Sequence, residues 1–261
     1  MNRFPLITAH SGCMGTLDNT VDSVTTALRL GADVVEEDIR VTRDGVPVLA
    51  HDDGWHTAGG DECSISKLTF AEIQALTIAV AQEGKTKTMR ICRLEEILPL
   101  IKKAGATINL DIKVDECIQS VAELVRTYEL GASVILSGCE RERARMVQHL
   151  HPELPKLLNA ESGLFLSLPY EEAIRQTCRD AVETGCIGVN IHYRLVRPEL
   201  MEYASSRGLP VYVWTVNDLP VMEDFIEMGV HSITTRDVQS LVGLKRRHME
   251  RADPADAGAF T

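Results

Sequence analysis

Gly31 to Asp52, GADVVEEDIRVTRDGVPVLAHD, is the stretch on which the fold turns. Val34 and Val35, then Ile39 and Val41, give the β-branched run of a buried strand, yet Glu36, Glu37 and Asp38 lie inside it. Side chains two apart on a strand share a face, so Glu36 and Asp38 point one way and Glu37 the other, toward solvent or a covering helix. A same-face pair of carboxylates makes a cation site, because burying both without a cation or a proton is costly. Asp44-Gly45 reads as a hairpin turn, and Val46 to Ala50 runs back as a second short strand ending at His51-Asp52. Asp52 reads as a hydrogen-bonding loop residue.

Upstream, Leu6 to His10 is a short apolar strand that leads into a polar loop, Ser11 to Leu17, with glycines at 12 and 15. Asp18 or Asn19 can cap a helix whose apolar stripe is Val21, Val24, Ala27, Leu28 and Leu30, closed by Gly31. This strand-helix-strand start implies parallel strands with a right-handed crossover. Downstream, from Asp53 to Arg90, regularity weakens to a loop, a helix-like piece at Thr69 to Leu76 and a polar connection rich in Lys and Thr. The segment reads as an insertion over one barrel mouth.

The rhythm then resumes. Helices are predicted at Leu94–Lys103, Cys117–Tyr128, Glu140–His149, Tyr170–Glu183, Pro198–Arg207, Pro220–Met228 and Val238–Arg247. Strands are predicted between them at Thr107–Lys113, Ser133–Ser137, Lys156–Asn159, Ile187–Ile191, Pro210–Thr215 and Ser232–Thr234. With the two N-terminal strands this makes eight alternations, the order of an α/β fold of the (β/α)8 TIM-barrel type with a small insertion after the second strand. One domain over 1–261 is expected, with the insertion at about 53–90 and a small, polar, frayed tail at about 252–261.

Composition narrows the partners. A net charge of −11 disfavours nucleic acid and anionic membrane, and an anionic ligand would need a local cation. The seven cysteines are odd in number and lack metal-ligand spacing, so free thiols in a reducing cytosol are expected. The N-terminus lacks a signal-peptide pattern and no apolar run is long enough to span a bilayer, so no stable membrane insertion is expected. Oligomeric state is left open.

Barrel strands collect reactive groups at their C-terminal ends. His10 ends the first strand, Glu36 and Asp38 the second, His51 follows the short hairpin, and Asn109, Asp111 and Lys113 share a face of the third. Three carboxylates form an oxygen-only ligand set that suits Mg²⁺ or Ca²⁺. Lys113 beside them can hold a phosphate oxygen, and two histidines flanking a phosphorus can act as base and acid. This is the inventory for metal-assisted cleavage of a small-molecule phosphodiester.

These residues carry a resemblance to the glycerophosphodiester phosphodiesterase family. Gly31 to Asp52 resembles its G-A-D-x-x-E-x-D, T-x-D-G-x-x-V and H-D signature. Weaker matches are Ala9-His10-x-Gly12 with Asn19-Thr20, Leu68-Thr69 with Glu72-Ile73 and Leu76, Leu94-Glu95-Glu96, and Asp111-x-Lys113. Val213-Trp214-Thr215-Val216-Asn217 is a good second block. The resemblance implies a TIM-barrel enzyme that hydrolyses glycerophosphodiesters to glycerol 3-phosphate and an alcohol with a divalent cation. It implies His10 and His51 as the acid/base pair, Glu36, Asp38 and Asp111 as metal ligands, Lys113 on the phosphate and Trp214 lining the pocket.

The chain also departs from the family pattern. Ser11 stands where the family carries an arginine expected to clamp phosphate, so the substrate contact at that position becomes a neutral hydroxyl. Arg43 and Arg93 are the nearest replacement cations by sequence. Asp18 replaces a glutamate, Asp111 a longer glutamate ligand, and Thr234-Thr235 a Thr-Asp pair. An arginine-free first motif with Asp-x-Lys is also similar to the venom-type phospholipase D branch, which implies a cyclic-phosphate lyase as one alternative. A non-catalytic barrel that binds a phosphorylated metabolite is the other.

Overall fold

Strand pairing closes the molecule on itself. In the computed structural model, which describes residues 3–82 and 84–252, eight parallel strands form the barrel. They are β1 (Leu6–Ala9), β2 (Val34–Val41), β3 (Thr107–Ile112), β4 (Val134–Cys139), β5 (Lys156–Asn159), β6 (Gly188–His192), β7 (Val211–Trp214) and β8 (Ser232–Thr235). β1 pairs with β8 through Thr8↔Thr234 and with β2 through Thr8↔Val34, so no barrel edge is left open between them. Helices follow the strands, from Val21–Leu30 after β1 to Val238–Ala252 after β8. The tail expected to fray lies, beyond Ala252, outside the described residues.

The outward faces of the strands are mostly apolar, with Glu37 and Lys156 as buried exceptions, and the inward faces carry most of the polar groups. Ile7, Val35, Ile39, Leu110, Leu136 and Val213 are fully or almost fully buried against the helices, within one continuous core. Truncating such a side chain to alanine costs about 2–5 kcal/mol, so this outer layer holds the barrel together. The interior carries Thr8, bonded to Ser232 at 2.7 Å, and above it the polar groups of the mouth. Polar groups are affordable there because they face one another or the open end.

The helix Val21–Leu30 begins one or two residues later than a cap at Asn19 or Asp18 would place it. Thr20 is its cap, accepting from the Ser23 N–H at 3.2 Å, and Gly31 at φ 86° closes it. Asn19, at φ 60°, is released for another task, and Asp18 pairs with Arg236. After β2, Gly45 turns the chain and Pro47–Leu49 runs back antiparallel to it, Ile39 opposite Leu49.

The insertion is more ordered than its sequence suggested. Instead of a loop and a polar connection it forms a four-stranded antiparallel sheet, from Gly54–Thr57, Glu62–Ser64, Ile78–Gln82 and Lys85–Met89. Its own small core holds Val48, Ile65, Phe70, Ile73, Ile78 and Met89. The helix-like piece is realised as Phe70–Gln74, capped by Thr69 with Glu72 in a reciprocal box. Gln82 Nε2 donates to the Gly15 and Thr16 carbonyls at 3.2 and 2.9 Å, which ties the sheet to the loop after β1 at the barrel mouth.

Candidate active site

Register places the carboxylates. Glu36 lies beside Asn109 and Asp38 beside Asp111 across β2 and β3, and the period of two turns all four inward. Glu36, Asp38 and Asp111 each offer an oxygen within 4.8 Å of the others. Lys113 Nζ donates to Asp38 Oδ1 at 2.9 Å and to Asp111 Oδ2. The second Asp111 oxygen accepts from Ser137 Oγ at 3.1 Å. Asn19 brackets Asp38: its Nδ2 donates to Oδ2 at 2.9 Å, and its Oδ1 accepts the Asp38 N–H at 2.9 Å.

Charge is only partly balanced. Burial works against an ionised Asp38, but the Lys113 ammonium and the hydrogen bonds from Lys113 and Asn19 outweigh it and hold the carboxyl below its ordinary value. Lys113 itself is held above its ordinary value, since Asp111 and Asp38 outweigh the opposing effect of burial. Glu36 has no such partner. Its Oε2 accepts the Ser11 N–H at 3.2 Å, while burial and then the charges of Asp38 and Asp111 push its carboxyl well above the usual range. Three carboxylates against one ammonium leave negative charge unoffset in a buried place, and the donors are all oxygen. A hard divalent cation fits this set.

Two histidines flank the cluster. His10 Nδ1 lies 2.8 Å from the Ser11 carbonyl, which accepts its proton and fixes the tautomer, leaving Nε2 free. The same Nδ1 is 3.8 Å from Glu36 Oε2, and burial holds the ring below its ordinary pKa. His51 arrives by another route. The Ala50 N–H donates to the Asp38 carbonyl at 3.0 Å, carrying the return strand along β2, and Arg40 Nε holds the His51 carbonyl at 2.8 Å. The His51 ring is exposed, with Nδ1 2.9 Å from Asp52 Oδ1. Both rings line a cavity of about 710 Å³ together with Glu36, Asp38, Asp111, Lys113 and Trp214. Trp214 stands edge-on to His192 at 5.2 Å.

Ser11 does not face that cavity, which corrects the substrate contact expected of it. Its hydroxyl is buried, donates to Glu37 Oε2 at 2.8 Å and accepts the Asn19 N–H at 2.5 Å, so both its bonds are made behind the site. Glu37 is helix-facing and fully buried, which excludes the solvated alternative. Burial drives its carboxyl well above the ordinary range, and Oε1 has no partner among the described residues. Arg43 and Arg93 do not replace the absent arginine. Arg43 bonds Glu72 and the Lys67 carbonyl, and Arg93 lies over Phe70.

Sequence reasoning missed other lining residues. Ser137, Asn159, Asn190 and Thr234 line the cavity along β4, β5, β6 and β8, with Asn159 Oδ1 accepting from the Gly138 N–H at 3.0 Å and Asn190 Nδ2 at 3.2 Å. A polar residue inside each short apolar strand was the available signal. Arg143, on the helix Arg141–Leu150, also lines the cavity; a charged helical stretch gave no such hint.

Over 93% of its length and 98% of the relative's, the chain is 27% identical to a glycerophosphodiester phosphodiesterase of Caldanaerobacter subterraneus. It is 23% identical to a human lysophospholipase D, over 87% of this chain and 82% of that protein. A phosphodiesterase of Oleispira antarctica, solved in complex with the product sn-glycerol-3-phosphate, superposes with a TM-score of 0.76 at 22% identity, covering 93% of this chain and 97% of that one. A structure from Silicibacter pomeroyi described as a glycerophosphoryl diester phosphodiesterase gives 0.77 at 22% identity, covering 93% and 94%. These two structural likenesses concern the fold. The model of the glycerophosphoryl diester phosphodiesterase family matches residues 6–240, and the chain, a TIM barrel with this mouth, belongs to that family of hydrolases.

Proposed function

We propose that the protein hydrolyses glycerophosphodiesters to glycerol 3-phosphate and an alcohol, with a divalent cation, Mg²⁺ or Ca²⁺, held by Glu36, Asp38 and Asp111. The observation that carries this reading is the meeting of that carboxylate triad, Lys113 and two histidines on one cavity. When bound, such a cation polarises a phosphoryl oxygen and offsets its growing charge. Lys113 adds a fixed positive charge beside the triad, and Trp214 supplies an apolar wall. His10 serves as base: its ring is biased to the neutral form, and Nε2 is free to take a proton from an attacking water. His51, oriented through Nδ1 by Asp52, gives a proton to the departing alcohol. Among the described residues no helix is long and apolar enough to cross a membrane, and the seven unpaired thiols suit a reducing cytosol.

Phosphorus NMR tests the reading with glycerophosphocholine, glycerophosphoethanolamine and lysophosphatidylcholine, each with Mg²⁺, Ca²⁺ or chelator. Metal-dependent glycerol 3-phosphate that disappears in His10→Ala and in His51→Ala is the expected result. A cyclic phosphate would transfer the chain to the lyase reaction. Binding without any product would make it a non-catalytic barrel.

A further inference from the structure

The family's arginine is absent at position 11, yet an anionic substrate must still enter a protein of net charge −11. Three cationic side chains line the cavity apart from its histidines: Lys113, Arg141 and Arg143. Lys113 is committed to Asp38 and Asp111, and Arg141 is turned to Asp180 at 3.1 Å and Glu183 at 3.2 Å. Arg143 is different. Its Nη1 donates to the carbonyls of Ile112 and Gly138, both at 2.5 Å, and Nε donates to Asp115 Oδ1 at 2.5 Å. The guanidinium therefore lies across the tips of β3 and β4. The Ile112 carbonyl it holds sits between Asp111 and Lys113 in the chain, and Nη2 has no protein acceptor among the described residues.

The local backbone is arranged to admit it. Gly138 has φ +69°, and a Cβ there would fall 2.6 Å from Asp111 Oδ1 and collide with the Ile112 carbonyl. Any larger residue would push into the metal-side carboxylate and into the oxygen that Arg143 holds. A mostly buried arginine with three fixed bonds has lost its rotamer freedom before a ligand arrives, so a further bond to an anion costs little ordering.

We propose that Arg143 is the substrate-binding arginine of this chain, presenting Nη2 to the phosphoryl anion from the β4 side of the cavity in place of the arginine missing at Ser11. This inference rests on the cavity being the phosphodiester site, and its test separates the two. Turnover of glycerophosphocholine and calorimetric binding of glycerol 3-phosphate and of inorganic phosphate, all with Mg²⁺, are compared in the unaltered protein, Arg143→Ala, Arg143→Lys and Asp115→Asn. Losing a charged hydrogen bond should raise KM and the Kd of both anions by about 10–100-fold in Arg143→Ala, with kcat falling less. Arg143→Lys should recover part of that loss. Asp115→Asn removes one brace but keeps the cation, so anion binding should hold or tighten.

If Arg143 only braces the strand tips, Arg143→Ala and Asp115→Asn will both lower the melting temperature while leaving anion Kd unchanged, and the proposal falls. If the unaltered protein cleaves no diester but binds phosphate through Arg143, the hydrolase reading falls and this one stands. Should Arg143→Ala fail to fold, Arg143→Lys still separates the two accounts, with a weaker anion Kd under the proposal and an unchanged Kd if the arginine only braces the strand tips.

Discussion

β2 presents three consecutive carboxylates to two different environments. On its inner face Glu36 and Asp38 meet Asp111, an ammonium and an amide clamp at the barrel mouth. On its outer face Glu37 is fully buried under the helix layer, with the Ser11 hydroxyl as donor to one oxygen and no hydrogen-bond donor to the other among the described residues. Both Glu36 and Glu37 are pushed well above the ordinary carboxylate range, chiefly by burial, but the causes that follow differ. For Glu36 the next causes are the charges of Asp38 and Asp111; for Glu37 the next is the Ser11 hydroxyl, which opposes the effect, ahead of the charge of Asp38. An apolar setting alone therefore does not mark a functional carboxylate. What marks it is a set of neighbours that a cation would satisfy at once.

The sharpest way to break this contrast is Glu36→Gln. It should lower turnover by about 10²–10³-fold, because one oxygen ligand and its charge are lost where charge develops. In chelator the same variant should be more stable than the unaltered protein by about 1–3 kcal/mol, since a buried, like-charged carboxylate has been neutralised. Opposite signs for activity and metal-free stability, read by product release and by urea titration, are the signature of a ligand. A loss of both would make Glu36 a structural group.

Cation addition sharpens the comparison next. Mg²⁺ at a hundred times its Kd should stabilise the unaltered protein by about 2.7 kcal/mol, seen as a rise in melting temperature, and should leave Glu36→Gln almost unmoved. Glu37→Gln should respond to Mg²⁺ as the unaltered protein does. It should also gain about 1 kcal/mol in stability with turnover nearly unchanged, because the amide keeps an acceptor for Ser11 without the buried charge. A Glu37→Gln variant that lost its Mg²⁺ response would show the two faces of β2 to be coupled.

How much of this was readable follows from which forces act locally. The alternation across Val34–Val41 and the two-residue period at Asn109, Asp111 and Lys113 are properties of neighbouring residues, so the barrel and the triad were legible. The insertion sheet was not, although Ile78–Gln82 and Lys85–Met89 flank Gly84 as a hairpin would. Lys85–Met89 alternates Lys and Thr and is exposed up to Met89, the other strands are short and only partly buried, and their order depends on Phe70, Ile73 and Met89 meeting in space. Ser11 read as a neutral substitute at the ligand surface. Its hydroxyl instead serves Glu37 and Asn19, a preference set by residues up to 26 positions away. Arg143 belongs to a charged stretch of the predicted helix Glu140–His149, and only the folded chain brings it to the tips of β3 and β4.

The smallest effect is expected where a carboxylate meets water. Asp52 and His51 form a pair at 2.9 Å, but their side chains are 72% and 63% exposed, so solvent already screens the interaction. Asp52→Ala should change stability by less than about 0.5 kcal/mol. The His51 backbone is held independently, by Arg40 on its carbonyl and by the pairing of Ala50 with Asp38, so the ring stays at the cavity edge when Asp52 is lost. What goes is the bond that fixes Nδ1, and kcat should fall by less than about tenfold, an amount consistent with a ring that must now find its tautomer and orientation by rotation. Steady-state turnover beside a urea titration decides it. A fall comparable to that of His51→Ala would mean that Asp52, despite its exposure, belongs with Glu36 and Asp38 rather than with the solvated acids of the rim.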